Sequence, residues 1–574
     1  MPRSNDTVAE ALRELADLLA IGGGDPFRVR AYEKAAREVA EYPRDVDQLD
    51  DRALGEIPAV GPRITAKIRS LLDTGHLDEL DELRARVPAG LRSLLGVPGL
   101  GPKRARQVYE ELHVASLAEL LDALRHERLR HLHGWGPTSE ERLRRAILQY
   151  QEGGGRMPLG AALALAEELV ASLRTVPAVD RVTYAGSLRR MRETIGDVDL
   201  LASSSDPLAV MEAFASLAPV AEVPVRGPTK AVALTTTGVH VDLRVVPPSS
   251  WGAALVYFTG SKAHSIHLRR IAQQAGLKLS EYDLERTADR AVVAADSEEA
   301  VYRALALSWV PPVLREDRGE IEAAAAGALP HLVEMDDIRG DLHVHTDLSD
   351  GLASLADMVD AGRRHGYRYL AVTDHAPRLR MQRVTDEKVL AQRRALRILE
   401  KEGDMALLHG SELNIATDGS LDWDDDFLSG FDLLIASVHS AFQMSRRDMT
   451  TRLIRAIEHP AVNVIGHPTT RTLGLRPPIE FDADAVFSAA ARAGTALEIN
   501  ASPDRLDLGD ELARLAQEHG AVFAISTDAH ATRHLDNLRL GVATAQRGWV
   551  GPDRVINTWP LDRLRHFLAK GRAR

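Results

Sequence analysis

The segment GDLHVHTDLSDG (340–351) alternates apolar and polar residues. Alternation at a period of two puts His343 and His345 on one face of a strand, and Asp350 follows in the loop. Working outward, apolar runs alternate with helical patterns across 338–574 and predict strands near 341–345, 369–373, 406–412, 433–439, 463–467, 496–500 and 522–527. Seven such strands predict a parallel, barrel-like α/β domain. Several later runs close on polar residues: VTDH (372–375), HGSELN (409–414), SVHS (437–440), IGHP (465–468) and STDAH (526–530). The candidate ligands are His343, His345, Asp350, His375, Glu412, His439, His467, Asp528 and His530. In parallel barrels the site lies at the C-terminal strand ends, where these residues fall. One histidine alone is ordinarily a packed side chain, but this many at successive strand ends predict a metal site. They exceed the needs of one ion, so two or three are expected. Imidazole with carboxylate suits Zn²⁺, Mn²⁺ or Fe²⁺.

The chain has 574 residues, 45% hydrophobic and 27% charged, which is ordinary globular composition for about four domains. With no cysteine, disulfides, thiolate zinc sites, iron–sulfur clusters and cysteine nucleophiles are excluded. No charge-free apolar run approaches the ~18 residues of a spanning helix. The first apolar stretch, ALRELADLLA, carries charges throughout, unlike a secretory signal. A cytoplasmic protein without membrane contact is expected. The net charge of −12 does not announce nucleic acid, so binding it would need local patches, backbone amides and bound metals.

Residues 1–150 predict short helices joined by tight turns. Thr7 and Glu10 have capping-box spacing, and Val8, Leu12, Leu15 and Leu19 recur at helical spacing. IPAVGPRITAKI (57–68), VPGLGPKRARQV (97–108) and HLHGWGPTSEERL (131–143) form an internal repeat, in which an apolar residue precedes Gly and a helix then starts. Gly61, Gly99 and Gly101 permit a tight hairpin whose next helix presents backbone N–H groups to an anion. The segments resemble helix-hairpin-helix motifs, which bind DNA phosphates without reading bases. The third is weakest, because Glu140 and Glu141 enter its second helix. QEGGGRMP (151–158) has linker composition.

In YAGSLRRMRETIGDVDLL (184–201), alternation puts Asp197 and Asp199 on one strand face while Val198 and Leu200 point inward. HVDLRVVP (240–247) offers Asp242 in the same way. If the two strands are neighbours, three carboxylates converge, and they repel unless cations lie between them. That suits two Mg²⁺ ions. Gly186 and Ser187 could hold a phosphate, with Arg189, Arg190 and Arg192 supplying charge.

These residues resemble the nucleotidyltransferase signature, and YFTGSKAHSIHLRR (257–270) is very similar to a segment of the family X DNA polymerases, which include DNA polymerase beta. DPFRVRAYEKAA and the first two hairpins extend the resemblance, which covers roughly residues 1–315. It implies that Asp197 and Asp199 bind two Mg²⁺ or Mn²⁺ ions, with Asp242 joining at the ion that activates the primer 3′-OH. That oxygen attacks the α-phosphate of a dNTP and pyrophosphate leaves. It further implies that Ser187 and Arg190 hold the β,γ-phosphates, that Tyr257, Phe258 and Gly260 form the sugar and base pocket, and that Arg269 monitors the template. Lys67 matches the family's Schiff-base lysine for 5′-deoxyribose phosphate removal. Arg28, Arg30 and Arg63 are candidates for a 5′-phosphate at a gap. Two departures stand out: His240 replaces Arg, and Lys262 replaces Asp, of polymerase beta. A lysine facing the nucleotide would strengthen its binding by charge.

The C-terminal segments resemble the polymerase-and-histidinol-phosphatase (PHP) domain, with all nine positions of its metal pattern filled across about 340–574. This implies a trinuclear phosphoesterase, with Arg378, Arg380 and Arg383 as candidates for the substrate phosphate. Beside a polymerase, the expected substrate is a DNA 3′ end and the expected activity a 3′–5′ exonuclease. Phosphodiesterase and abasic-site endonuclease activities remain open. The expected fold is multidomain α+β and α/β: 1–90 a helical DNA-binding domain, 91–155 further helix-hairpin-helix repeats, 156–248 a palm, 249–315 a thumb, 316–337 a linker and 338–574 a distorted seven-stranded barrel. The whole reads as a monomeric, nucleoid-associated gap-filling polymerase of DNA repair acting on gapped or primed duplex DNA. Its rivals are a small-molecule phosphate-ester hydrolase with a weak polymerase module, and a DNA-binding scaffold with both sites lost.

Overall fold

A computed structural model describes residues 4–570 apart from 43, 95–99, 116, 127, 137–139, 141–142, 144–155, 237 and 378–383. The chain divides into two units, Met1–Gly155 and Arg156–Arg574.

The first unit is helical. Helix Ser4–Ile21 buries Val8, Leu12, Leu15 and Leu19, as their spacing predicts. Thr7, however, lies inside this helix and not at its cap. Tertiary hydrogen bonds carry the helix past the local signal: Ser4 Oγ donates to Asp47, and the buried Asn5 donates to the carbonyls of Tyr42 and Arg44 and accepts from the Val46 amide. Helix Asp51–Glu56 turns into helix Pro62–Thr74, with Gly61 at the N-cap and proline at the first helical position. Ile57 and Val60 in the turn are buried, whereas Gly61 faces open space. Gly101 caps helix Pro102–Leu112 in the same manner, again facing open space. Gly99 lies outside the described residues, as does most of the helix expected after the third hairpin. In that hairpin, Gly134 takes the left-handed conformation at φ 77° and Trp135 is buried.

The second unit begins with a five-stranded mixed sheet. Its strands are β1 (Arg181–Tyr184), β2 (Val198–Ser203), β3 (Val220–Arg226), β4 (Lys230–Thr235) and β5 (His240–Val246), in the order β1-β2-β5-β4-β3. Only β2 and β5 run parallel. Val198, Leu200, Val241 and Leu243 bury against helices Leu159–Arg174 and Pro207–Ala215. On the opposite face, Leu201 and Val246 pack against helix Trp251–Thr259. Because side chains alternate along a strand, Asp199 and Asp242 share this second face.

Helix Lys262–Gln274, a three-stranded antiparallel sheet and helix Glu298–Ala304 follow around a core that includes Leu268, Ala272, Val301 and Tyr302. Within 316–337, read from its charge and alanine content as a linker, the chain packs against this core. Ile321, Ala324 and Leu332 are buried in it, and buried Glu320 sits 2.6 Å from His264 Nδ1. The segment's alanines are small enough to let it lie close to this core.

The barrel strands are β6 (Gly340–Val344), β7 (Tyr369–Val372), β8 (Ala406–Asn414), β9 (Leu433–Ser437), β10 (Val464–Ile465), β11 (Ala496–Asn500) and β12 (Phe523–Ser526). Every neighbouring pair is parallel and the spatial order equals the chain order. A parallel bridge between Val344 and Ala529 brings the last segment against the first, nearly closing the barrel. Helices including Leu355–Arg364, Asp386–Leu399 and Arg446–Ile457 connect the strands, and helix Leu538–Arg547 follows the last of them. Among the described residues, no helix is long and apolar enough to cross a membrane.

Candidate active sites

The first site lies on the mixed sheet. Asp199 of β2 and Asp242 of β5 are register partners on parallel strands, with Asp197 one residue before β2. Burial, then the charges of Asp242 and Asp197, push the Asp199 carboxyl up to about 6. Lys230 Nζ stands 3.5 Å from Asp242 Oδ2. Gly186 adopts φ 56°, and a Cβ there would fall 1.8 Å from Asp199 Oδ2. Glycine is therefore required twice over, for its backbone and for the space beside the carboxylate. Two paired carboxylates, with Asp197 near enough to act on Asp199, fit oxygen-seeking divalent ions such as Mg²⁺ or Mn²⁺.

Ser187 follows in the short helix Gly186–Arg189. Arg190 donates from Nη1 to the Thr259 carbonyl at 2.6 Å and from Nε to Glu316 Oε1 at 3.0 Å. The expectation that Arg189 offers free charge is corrected. Its guanidinium makes two bonds to Glu298, at 2.7 and 2.9 Å, and a third to Thr259 Oγ1. Burial opposes ionisation of Glu298, but Arg315 and Arg189 outweigh it and hold this carboxyl down at about 2. Tyr257 and Phe258 meet edge to face, with ring centroids 5.1 Å apart, and the Arg244 guanidinium covers Phe258. Gly260 follows at φ 67°, Lys262 is exposed at the start of the next helix, and Arg269 Nε donates back to the Ser265 carbonyl.

The second site closes the mouth of the barrel. Glu412 lies at its centre. Its Oε1 is 3.1 Å from His439 Nε2 and 2.9 Å from His467 Nε2, and its Oε2 is 2.9 Å from His375 Nδ1. His345 Nε2 lies 3.1 Å from both Asp528 Oδ1 and His343 Nε2. Asp350 lies 3.3 Å from His375 Nε2 and from His530 Nε2. All nine expected residues therefore come together. Ligand atoms of eight of them form three groups: His345, Asp350, His375 and His530; His343, His345 and Asp528; and His375, Glu412 and His439; His467 joins through Glu412. The two imidazole nitrogens 3.1 Å apart can share one N–H···N bond, and the same spacing suits two ligands of one cation. His345 Nδ1 and His467 Nδ1 are also buried without a hydrogen-bond partner among the described residues. Nitrogen and carboxylate donors at this density fit Zn²⁺, Mn²⁺ or Fe²⁺. Without a cation, burial would keep the rings neutral. Glu412 and Asp350 outweigh it at His375, raised to about 10, as Asp350 and Asp528 do at His530, raised to about 9.

The DNA polymerase/3′-5′ exonuclease PolX of Bacillus subtilis (strain 168) is 34% identical over 567 residues, covering 98% of this chain and 99% of that one. This chain belongs to the family X DNA polymerases that carry a PHP domain. Family models match four stretches: a helix-hairpin-helix domain at 3–77, a SAM-like helix-hairpin-helix tandem at 91–147, a DNA polymerase beta thumb at 254–316 and a PHP domain at 341–502. Probable phosphatases of Shewanella sp. (strain MR-4) and Shewanella sediminis (strain HAW-EB3) are each 30% identical over 241 residues, 40% of this chain and 91% and 93% of theirs. That likeness is confined to the PHP region.

In the polymerase's N-terminal unit, Arg63 is exposed beside Gly61. Arg28 and Lys67 both pair with Glu79, Lys67 Nζ at 2.5 Å from it. Arg378, Arg380 and Arg383 lie outside the described residues. Sequence reasoning missed the residues that orient two of the candidate ligands. Glu498 Oε1 lies 2.7 Å from His343 Nδ1, fixing which ring nitrogen faces the site, and Asn414 does the same for His439 at 2.8 Å. Arg505 stands 3.7 Å from Asp528 and was also missed. A lone glutamate in the apolar strand ALEIN (496–500) was the available signal for the first.

Proposed function

We propose that this family X polymerase fills short gaps during DNA repair and trims or cleans 3′ ends with its PHP domain. The protein is a DNA polymerase and metal-dependent 3′–5′ exonuclease, and it interacts with DNA and dNTPs. The observation that best supports the finer reading is the pairing of two donor sets of different chemistry in one chain: carboxylates alone on the palm, and histidines with carboxylates in the barrel.

In the palm, Asp197, Asp199 and Asp242 would hold Mg²⁺ or Mn²⁺. When bound, such ions polarise phosphate and make the 3′-hydroxyl more acidic. The chain's own groups bind and orient. Ser187 and Arg190 hold the β,γ-phosphates, Lys262 adds charge beside the nucleotide, Tyr257, Phe258 and Gly260 bound the sugar and base, and Arg269 lies toward the template. The primer 3′-oxygen then forms a bond to the α-phosphorus, the bond to the β-phosphate oxygen breaks, and pyrophosphate leaves. In the PHP domain, the nine barrel residues would hold two or three Zn²⁺, Mn²⁺ or Fe²⁺ ions, whose chemistry is hydrolysis of a 3′-terminal phosphodiester. Glu498 and Asn414 keep His343 and His439 in the required tautomers. Gly61, Gly101, Arg28 and Arg63 would contact the DNA backbone. The protein would act as a monomer near the nucleoid.

The test is one gapped duplex with a labelled primer. Wild type, Asp197→Ala/Asp199→Ala and His343→Ala/His345→Ala are each incubated with Mn²⁺, with and without dNTPs. Extension should vanish only in the aspartate variant and shortening only in the histidine variant. A wild type that shortens nothing yet hydrolyses small phosphate esters would move the PHP domain to the phosphatase reading.

A further inference from the structure

Arg547 ends the helix Leu538–Arg547 of the PHP domain, yet its guanidinium reaches the Arg190 carbonyl of the polymerase palm. Nη1 donates to the Arg190 carbonyl at 2.7 Å and to Glu316 Oε1 at 3.0 Å, while Nη2 donates to Asp510 Oδ2 at 2.6 Å. Glu316 Oε1 also accepts from Arg190 Nε at 3.0 Å. One carboxylate oxygen thus joins the two arginines, and Arg547 holds Arg190 by its backbone as well. The side chains of Arg190, Glu316 and Arg547 are only 13%, 12% and 3% exposed, so water cannot readily replace a lost partner. From this anchor Arg190 reaches the carbonyl of Thr259, the residue before Gly260 of the nucleotide segment.

We infer that Arg547 is a positioning residue of the polymerase: it sets Arg190 for the triphosphate, so the PHP domain supplies part of the dNTP site. This rests on the reading that Arg190 binds the β,γ-phosphates. Arg547 touches no reacting atom in this arrangement. It fixes the Arg190 carbonyl and the Glu316 carboxylate, and these fix where the Arg190 guanidinium can point. Without Arg547, Glu316 keeps Arg190 and the more distant Arg192, 3.9 Å away, and the Arg190 carbonyl loses its anchor, so the Arg190–Glu316 pair is free to shift. Ground-state binding of the nucleotide then weakens more than the chemical step.

The experiment uses the full-length protein and reads single-nucleotide insertion into a gap, with 3′ shortening as an internal measure of PHP integrity. Arg547→Ala should raise the dNTP KM about tenfold, the scale of one charge-assisted hydrogen bond, with kcat and shortening nearly unchanged. Arg547→Lys, which cannot span Arg190, Glu316 and Asp510 together, should fall between the two and covers the case that the alanine variant does not fold. Arg190→Ala should raise KM by itself, and adding Arg547→Ala to it should cost little more. The control is Arg539→Ala. Arg539 pairs with Glu167 of the palm at 2.7 Å and contacts neither Arg190 nor Glu316, so its loss should leave KM alone. An unchanged KM in both Arg547 variants, with a raised one in Arg190→Ala, overturns the positioning role and leaves the Arg190 reading intact. An unchanged KM in Arg190→Ala overturns the Arg190 reading itself. Equal effects of Arg539→Ala and Arg547→Ala reduce the matter to a loosened interface and also overturn the inference.

Discussion

Asp199 and Asp242 stand side by side as register partners on parallel strands, and the fold partly buries Asp199 there. Burial and the neighbouring carboxylates raise Asp199 from its ordinary 3.8 to about 6. Between those values the folded, metal-free chain keeps a proton that the unfolded chain has released, so stability falls as pH rises through the window and stays lower above it. Asn at this position carries no charge to bury. Metal-free Asp199→Asn should therefore be more stable than wild type at pH 7.5, by about 1–3 kcal/mol, and the advantage should fade toward pH 4. Thermal melts in chelator at the two pH values measure this, and a pH-independent difference would refute the cause. Extension should be lost in the same variant.

Gly186→Ala should disable the palm alone. Its Cβ would sit 1.8 Å from Asp199 Oδ2 on a backbone with φ 56°. The carboxylate must move, and displacement of this size costs about 100-fold in rate. Primer extension should fall accordingly while 3′ shortening persists. Loss of both activities together would point to misfolding.

Glu498→Gln tests the support of the PHP ligands. Glutamine keeps the shape but loses the charge beside His343 Nδ1, 2.7 Å away. Metal affinity should fall about 10–100-fold, read by competition with a coloured chelator, and gap filling should be unaffected. Unchanged metal retention would make Glu498 a bystander.

Metal loading of the PHP domain should release protons. His375 and His530, raised to about 10 and about 9 in the metal-free chain, are charged at pH 7 and must lose that charge to bind a cation. Affinity should therefore climb as pH rises from 6 to 9. Titration calorimetry in two buffers of different ionisation enthalpy counts the protons, and equal heats in both would contradict the release.

Lys67 is held by Glu79, and an ion pair uses the ammonium, whereas attack on a sugar aldehyde needs the free amine. If the polymerase removes 5′-deoxyribose phosphate through this lysine, Glu79→Gln should increase borohydride trapping and Lys67→Ala should abolish it. Undiminished trapping in Lys67→Ala would exclude that residue.

The sequence by itself determined the parts and their chemistry. Alternation put His343 with His345 and Asp197 with Asp199, and apolar runs located all seven barrel strands, because the periods of strand and helix are local properties of the backbone. It also marked the nine candidate ligands of the barrel, most of which lie on or close after such a run. What only the tertiary structure decided is which charges are spent on one another. Arg189 is spent on Glu298, Lys67 pairs with Glu79, and Arg547 with Glu316 and the Arg190 carbonyl, while Glu498 orients His343. Apart from Lys67 and Glu79, which face each other from two helices of one unit, these partners are far apart in the chain, 109 residues for Arg189 and Glu298 and 357 for Arg547 and Arg190. No local pattern encodes such pairs. They exist because packing elements that are patterned separately buries charges that must then find partners among whatever the fold brings beside them.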